Sequence, residues 1–393
     1  MKHTKLYIML LAFSLAGCIS DDSDLMPVIE EWENVDVEEI SLDYSDLAEP
    51  AETIDPSDDD YTENNQFTHK VDVVFNGTTA TVSGDLDDID VLISGAHVTI
   101  DSYTSEVEYI VSGKSTDGGL KIYSTNKYLL TLNGVTLTNP TGAVINNQSS
   151  KHLYLQLAPG TVNSLTDGNN YSTTNTEDEK GAFFSEGQIV VSGSGTLNVN
   201  GHHRHAIASD DYIIFRPGSK IYATTTAGHG IKANDGIDIR GSVINVEVSG
   251  TASKGINSEA FVNVSGGRTT ITTTGQSLIE EGDTSTCAAV KCDSTFTMTA
   301  GTLRMKSTGM GGKCINATKT ITISGGQLSA VALGEKALGA PKALKCDEDI
   351  IINGGRIFSY SVNSKAVDAD WELIVSPGWQ TYKRTSRWMI LQY

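Results

Sequence analysis

The chain has 393 residues, with 49 Asp plus Glu against 28 Lys plus Arg, and a formal net charge of −21 at pH 7. That acid surplus argues against a nucleic-acid partner, because phosphate backbones are met by basic surfaces. The length allows one large core or two domains, and no Pro-rich linker divides it.

Lys2 and Lys5 precede an apolar run, "LYIMLLAFSLAG", which ends at Cys18. The run is too short to span a bilayer and has the charged start and small-residue finish of a signal peptide. "LAGC" resembles the lipobox of bacterial lipoproteins. The resemblance makes residues 1–17 a leader and Cys18 the acylated first residue of the mature chain. "ISDDSD", which follows, resembles the signal that sends Gram-negative lipoproteins to the outer face. The expected location is therefore the bacterial outer membrane at the cell surface, with the lipid at Cys18 as the sole membrane attachment.

Residues 19–65 hold 18 Asp plus Glu and no Lys or Arg. No hydrophobic period holds there, so 18–65 reads as a lipidated, disordered, self-repelling tether. Removing those 18 acids and the two leader lysines leaves 31 acids and 26 bases. The domain expected over 66–393 is thus near −5 and has room for local basic patches.

Short alternating runs begin the domain: "VLISGAHVTI", "YLLTLNGVTLTN", "KHLYLQLAPGTVN" and "GQIVVSGSGTLNVNG". A phrase of the form basic–small–aliphatic then recurs: "HAIASD", "HGIKAN", "KGINSE", "AAVKCD", "KCINAT", "KALKCD" and "KAVDAD". Its aliphatic residues are Ile207, Ile231, Ile256, Val290, Ile315, Leu344 and Val367, spaced by 24, 25, 34, 25, 29 and 23 residues. Each phrase leads into an alternating apolar run, a glycine turn and a second alternating run. One such unit cannot bury its apolar face, whereas a stack of units buries a continuous core. The fold class expected is all-β: a right-handed, single-stranded parallel β-helix with roughly 24 residues per rung. A β-sandwich, the competing fold, does not explain a residue type returning at a fixed phase.

Strand alternation sets side-chain direction. With the aliphatic residue inside, Ser209, Ala233, Ser258, Cys292, Ala317, Cys346 and Ala369 also point inward. Cys292 and Cys346 lie two rungs apart, about 10 Å, too far to bond. Cys287 and Cys314 fall on neighbouring rungs, where a bond is geometrically allowed.

Two positions before each aliphatic residue, His205, His229, Lys254, Lys313, Lys342 and Lys365 form an outward basic column broken only by Ala288. One position after it lie Lys232, Lys291 and Lys345. Like charges one rung apart repel by about 0.9 kcal/mol even in water, so the column needs acids, salt or a ligand. Two readings stand side by side. Acids on the same edge relieve the charge, as Asp293 would for Lys291 and Asp347 for Lys345; or a polymer with regularly spaced anionic or hydroxyl groups, a polysaccharide, lies along it. Tyr222, Phe358 and Tyr360 are outward aromatics able to stack on sugar rings. Asp210, Asp211, Asn234 and Asp235, on adjacent rungs, are candidate calcium ligands, although such residues also stabilise turns. The histidines of "GHHRHA" (201–206) read as exposed loop residues, since neighbours along a strand face opposite ways.

The run "LYLQLAPGTVNSLTDGNNY…KGAFFSEGQIVVSGSGTLNVNG", with "HGIKANDGIDIRGSVINVEVSG" and "KGINSEAFVNVSGGRTTITTTG", resembles the carbohydrate-binding β-helix domain family of exported bacterial proteins. Similarity extends over about residues 73–375. The resemblance implies a pectate-lyase-like fold, binding of plant cell-wall chains such as pectin-like or cellulosic polymers, and bound calcium. It departs in one respect: where the family often carries Asp before "GI", this chain has His or Lys. The expected function is non-catalytic polysaccharide binding by a monomer. The alternatives are a lyase acting on uronate glycans, which needs one singular constellation of base and metal, and a structural or adhesin rod. Singular features occur where the period breaks, at 163–180, 274–287 and 333–342.

Overall fold

The computed structural model describes residues 52–172 and 177–377, and the backbone of 380–384 and 388–392. The leader, Cys18 and most of the acidic stretch lie outside the described residues.

The chain is an all-β parallel solenoid of about 11 turns with about 25 residues per turn. Each turn contributes a phrase strand to one sheet of 12 strands, running from Ile89–Ser94 and Ala96–Ser102 to Val367–Ala369. The other two runs of each turn, a short middle strand and a six-residue long strand, enter a 21-stranded sheet. Middle and long runs are continuous in Tyr128–Asn139, Ile321–Ala332 and Ile350–Ser361, which bend around glycines. Gly326, for example, has φ +77°, and a Cβ there would lie 2.7 Å from the Gly301 carbonyl oxygen.

The aliphatic ladder is in register as expected: Ile207 faces Ile231, then Ile256, Val290, Ile315, Leu344 and Val367. The first six are at most 3% exposed. The residue before each of these is small because it sits where the phrase strand approaches the long strand. A Cβ on Gly230 would lie 2.2 Å from Cγ1 of Val246, and one on Gly255 2.2 Å from Cγ2 of Ile271. Ser209, Ser258, Cys292, Ala317 and Cys346 are buried inside, also as expected. All four described cysteines are free thiols.

Both ends of the stack close with antiparallel pairs. His69–Asn76 pairs with Ala80–Gly84, and Ile350–Ser361 with Trp388–Gln392. Such caps blunt open sheet edges that would otherwise template association.

Residues 52–65, expected in the tether, form with 66–67 a strap across the outer face of the middle strands. There Leu129, Tyr154, Val190 and Ile214 point outward yet are buried as a second apolar cluster, with Phe67 and Tyr212 against it. Arg216, on the same face, donates to Glu52 at 3.1 and 3.0 Å and to Glu63 at 2.7 and 3.0 Å. Its guanidinium lies 4.7 Å from the ring centroid of Tyr61, which also receives Arg240 at 5.7 Å. The Asp60 carboxylate takes a hydrogen bond from the Tyr212 hydroxyl, and Tyr154 donates to the Asp59 carbonyl at 2.5 Å. Glu52, Glu63, Asp59 and Asp60 are met by Arg216, Lys127 and Arg240 on the solenoid, which offsets the self-repulsion of this part of the stretch.

Candidate functional site

The outward column one position after each aliphatic residue runs Lys121, Asn146, Phe184, Ala208, Lys232, Asn257, Lys291, Asn316, Lys345, Asp368, all in register. From Lys232 onward lysine and asparagine alternate, which sets lysines about 9.6 Å apart and halves the like-charge problem. Acids on the same edge take up the rest. Lys232 pairs with Glu259 at 2.7 Å, Lys291 with Asp293, and Lys345 with Asp347 at 3.0 Å and Asp370 at 2.7 Å. The lysines are the more buried partners and the carboxylates are half-exposed, so this edge shows solvent a row of paired charges rather than free cations. Upstream, Lys121 is held by Glu177 at 2.7 Å and Lys180 by Asp210 at 2.5 Å.

The basic column lies closer to the bend and is half-buried rather than a fully exposed track. His205 and His229 stack with ring centroids 4.7 Å apart. The backbone N–H of His229 donates to Nδ1 of His205 at 2.9 Å, and that of Lys254 to Nδ1 of His229 at 3.2 Å. Each imidazole therefore replaces a carbonyl as acceptor for the next rung. Burial, reinforced by Lys232, Arg204, Lys180 and Lys254, lowers the pKa of His205 to about 3. Burial, then His205, Lys254 and Lys232, lowers that of His229 to about 2. Both rings are neutral, with the proton on Nε2. Lys342 is 9% exposed and pairs with Asp368 at 2.6 Å. Lys365 is exposed and reaches the same carboxylate at 3.1 Å.

The four candidate calcium ligands do not converge. Asp210 is engaged by Lys180 and, at 3.4 Å, by the Asn234 amide. Asp211 accepts the Tyr212 N–H at 2.9 Å, and its carbonyl takes the N–H groups of Asn234 and Asp235. Among the described residues no group of three or more His, Cys, Asp or Glu side chains is placed to hold a metal ion. A donor set already carrying the Lys180 ammonium does not fit calcium. In "GHHRHA", His202 and Arg204 are exposed, while His203 stacks on Tyr171 at 4.2 Å and His205 turns to the bend.

The long strands Thr196–Gly201, Lys220–Thr225, Val243–Val248, Arg268–Thr273 and Thr302–Ser307 form a flat outer face with three outward columns. The central column is Asn198, Tyr222, Asn245, Thr270 and Arg304. Tyr222 is 39% exposed between two asparagine amides. Beside it run Asn200, Thr224, Glu247, Thr272 and Lys306, with the Thr224 hydroxyl donating to Asn200 Oδ1 at 2.7 Å. Thr224, Glu247 and Thr272 of this second column line a cleft of about 230 Å³ together with His202, Thr226 and Ser249. Over the first four of these rungs the two columns offer a hydroxyl or an amide on each, with the Tyr222 ring among them and a single carboxylate, Glu247. Of these residues the sequence singles out Tyr222 as a sugar-stacking ring and His202 only as an exposed loop histidine. The clue to the rest was the polar half of each second alternating run, "TLNVNG", "KIYATT", "VINVEV". Tyr360 lies farther along the same sheet and is half-buried. Phe358, expected as an outward stacking ring, is only 1% exposed and has no free face.

An all-β solenoid with regular polar columns is a protein class built to present a long repetitive surface. The chain matches the family described as Carbohydrate-binding domain-containing protein over residues 94–258 and 248–337, more than half its length, and it belongs to that family. A Carbohydrate-binding domain-containing protein of Acetivibrio thermocellus is 32% identical over 85 residues, 21% of this chain. That match spans only 30% of the relative's length. Among solved structures, a polysaccharide lyase-like protein from C. thermocellum, in its gadolinium derivative, aligns with TM-score 0.41 and 19% identity. That alignment covers 79% of this chain and 98% of the other.

Proposed function

We propose that this chain is a non-catalytic polysaccharide-binding protein, held at the outer-membrane surface by a lipid on Cys18. Its ligand in this reading is an extended plant cell-wall type chain, pectin-like or cellulosic, lying along the long-strand face. One observation carries the reading: Tyr222 stands exposed in a flat face whose hydroxyl and amide groups repeat about every 4.8 Å. A sugar ring has an apolar C–H face and an equatorial rim of hydroxyls. An aromatic ring matches the first, and rows of Asn and Thr match the second. The paired-charge edge is the weaker partner for an acidic chain, because Glu259, Asp293, Asp347 and Asp370 already occupy its lysines.

The test is retention of the full chain on immobilised cellulose, pectin and polygalacturonate. Tyr222→Ala and Asn245→Ala are each expected to weaken retention about tenfold with an unchanged melting temperature, since both are surface residues. Wild-type protein retained on no glycan would sink the reading. Release of unsaturated uronate products would overturn its non-catalytic part.

A further inference from the structure

Two ammonium groups of the basic column have no acid paired with them. Lys342 and Lys365 share Asp368, and Lys345 is held by Asp347 and Asp370. Lys254 donates only to neutral oxygens, the Ala252 carbonyl at 2.7 Å and the Ser285 hydroxyl at 3.4 Å. The Lys313 ammonium has no hydrogen-bond or ion-pair partner among the described residues. Lys254 and Lys313 are two rungs apart, with Ala288 in register between them, so their backbones are about 9.6 Å apart. "AAVKCD" is the one phrase with neither His nor Lys at this position, and the buried Ala288 places no third cation between the two lysines.

Two of the stretches where the repeat breaks meet beside these rungs. One is the hairpin Leu278–Glu280 with Asp283–Ser285, which brings Ser285 to Lys254 and Thr286 to Asn316. The other is the turn around Lys336–Leu338, fastened where the Gly311 N–H donates to the Glu335 carbonyl at 2.8 Å. A Cβ on Gly339 would stand 3.6 Å from the Thr284 methyl, so the two insertions touch. Burial lowers the Lys313 pKa to about 8, and Lys342, Lys345 and Lys254 push the same way against Asp347. A half-buried cation without a counter-charge is unfavourable in the free protein, and such groups cluster where ligands bind.

We propose that Lys254 and Lys313, flanking Ala288, form a site for an anionic group on a glycan, a carboxylate or a sulfate ester, bound directly with no metal ion between. Each ammonium supplies a charge-assisted hydrogen bond. The proposal rests on the glycan-binding reading for its ligand, not for the site itself.

The experiment measures binding of the full chain, in chelator, to polygalacturonate, to its fully methyl-esterified form and to dextran sulfate. Melting shifts with sodium galacturonate and sodium sulfate accompany it. The wild type is expected to bind at least one anionic polymer about tenfold more tightly than the neutral ester, the weight of one charge-assisted hydrogen bond. Whichever anionic polymer binds better identifies the group. Lys313→Met and Lys254→Met are each expected to lose that preference yet keep ester binding and melting temperature, and Lys313→Arg to retain the preference. Equal affinity of the wild type for ester and both polyanions overturns the site, as does wild-type behaviour of Lys313→Met and Lys254→Met. If no polymer is retained but galacturonate or sulfate still raises the melting temperature of the wild type and not of Lys313→Met, the glycan reading falls and the anion site stands.

Discussion

Lowering the pH from 7 to 5 destabilises this protein through His205 and His229. In the folded chain their pKa values are about 3 and about 2. Both stay neutral across this range, because burial and the surrounding lysines disfavour imidazolium and each Nδ1 is an acceptor for the next rung. In the unfolded chain a histidine titrates near 6.5. Below that pH the unfolded state binds protons that the folded state does not, so stability falls as pH falls. At pH 5 the unfolded form of each histidine is favoured by about 2 kcal/mol, and the pair by at most about 4 kcal/mol. The assay is urea unfolding followed by circular dichroism at pH 7 and pH 5, for wild type and for His205→Asn/His229→Asn. The asparagine oxygen is an acceptor near the place of Nδ1 and does not titrate, so the double variant should lose about 4 kcal/mol less on acidification. Equal losses in the two proteins would refute the argument, and with it the assignment of both rings as neutral acceptors.

Three further outcomes are expected. Arg216→Met leaves the Glu52 and Glu63 carboxylates without their cation, costs about 3 kcal/mol and opens the strap to a glutamate-specific protease; unchanged cleavage would show that the strap's other contacts hold it without Arg216. Acid weakens the same clasp: hydrogen bonds from Arg216 hold the Glu63 carboxyl below its usual range, so its stabilisation is present above pH ~4.3 and is lost as pH falls further, seen as strap cleavage by an acid-active protease at lower pH. Gly230→Val drives a side chain into Val246, 2.2 Å from the position of its Cβ, and should lower stability by about 3 kcal/mol or more in a urea titration.

The solenoid was legible because its determinants repeat. A period of about 25 residues with an aliphatic residue at a fixed phase names both the coil and the ladder inside it, and the observed register follows that ladder residue for residue. The strap was harder to see because the composition of 19–65 gave no positive signal for order: acids without bases read as a tether. The signal lay elsewhere, in the middle strands. "YLLTL", "LYLQL" and "IVVS" are apolar on both faces, whereas "IDIR", "FVNV" and "ITIS" alternate. A run apolar on both faces needs cover on both. Leu129, Tyr154, Val190 and Ile214 receive it from the strap.

The charge state of the outer edge was legible only in part. Register gives which residues share a column, but neutralisation is diagonal. Lys345 reaches Asp347 on its own strand and Asp370 on the next, and Lys232 reaches forward to Glu259. Which base finds which acid depends on how far a flexible side chain leans between rungs, and the column alone does not determine that. Lys313 falls outside this exchange. Asp293 and Asp347 stand two positions after Lys291 and Lys345 and serve that column, whereas Lys313 is in register with Lys342, three positions earlier in its phrase. Among the described residues its column is served by Asp368 alone, which Lys342 and Lys365 already share. A column with more bases than acids within reach is thus what leaves a cation open, and the spacing of the phrase shows that imbalance while the pairing inside it depends on side-chain reach.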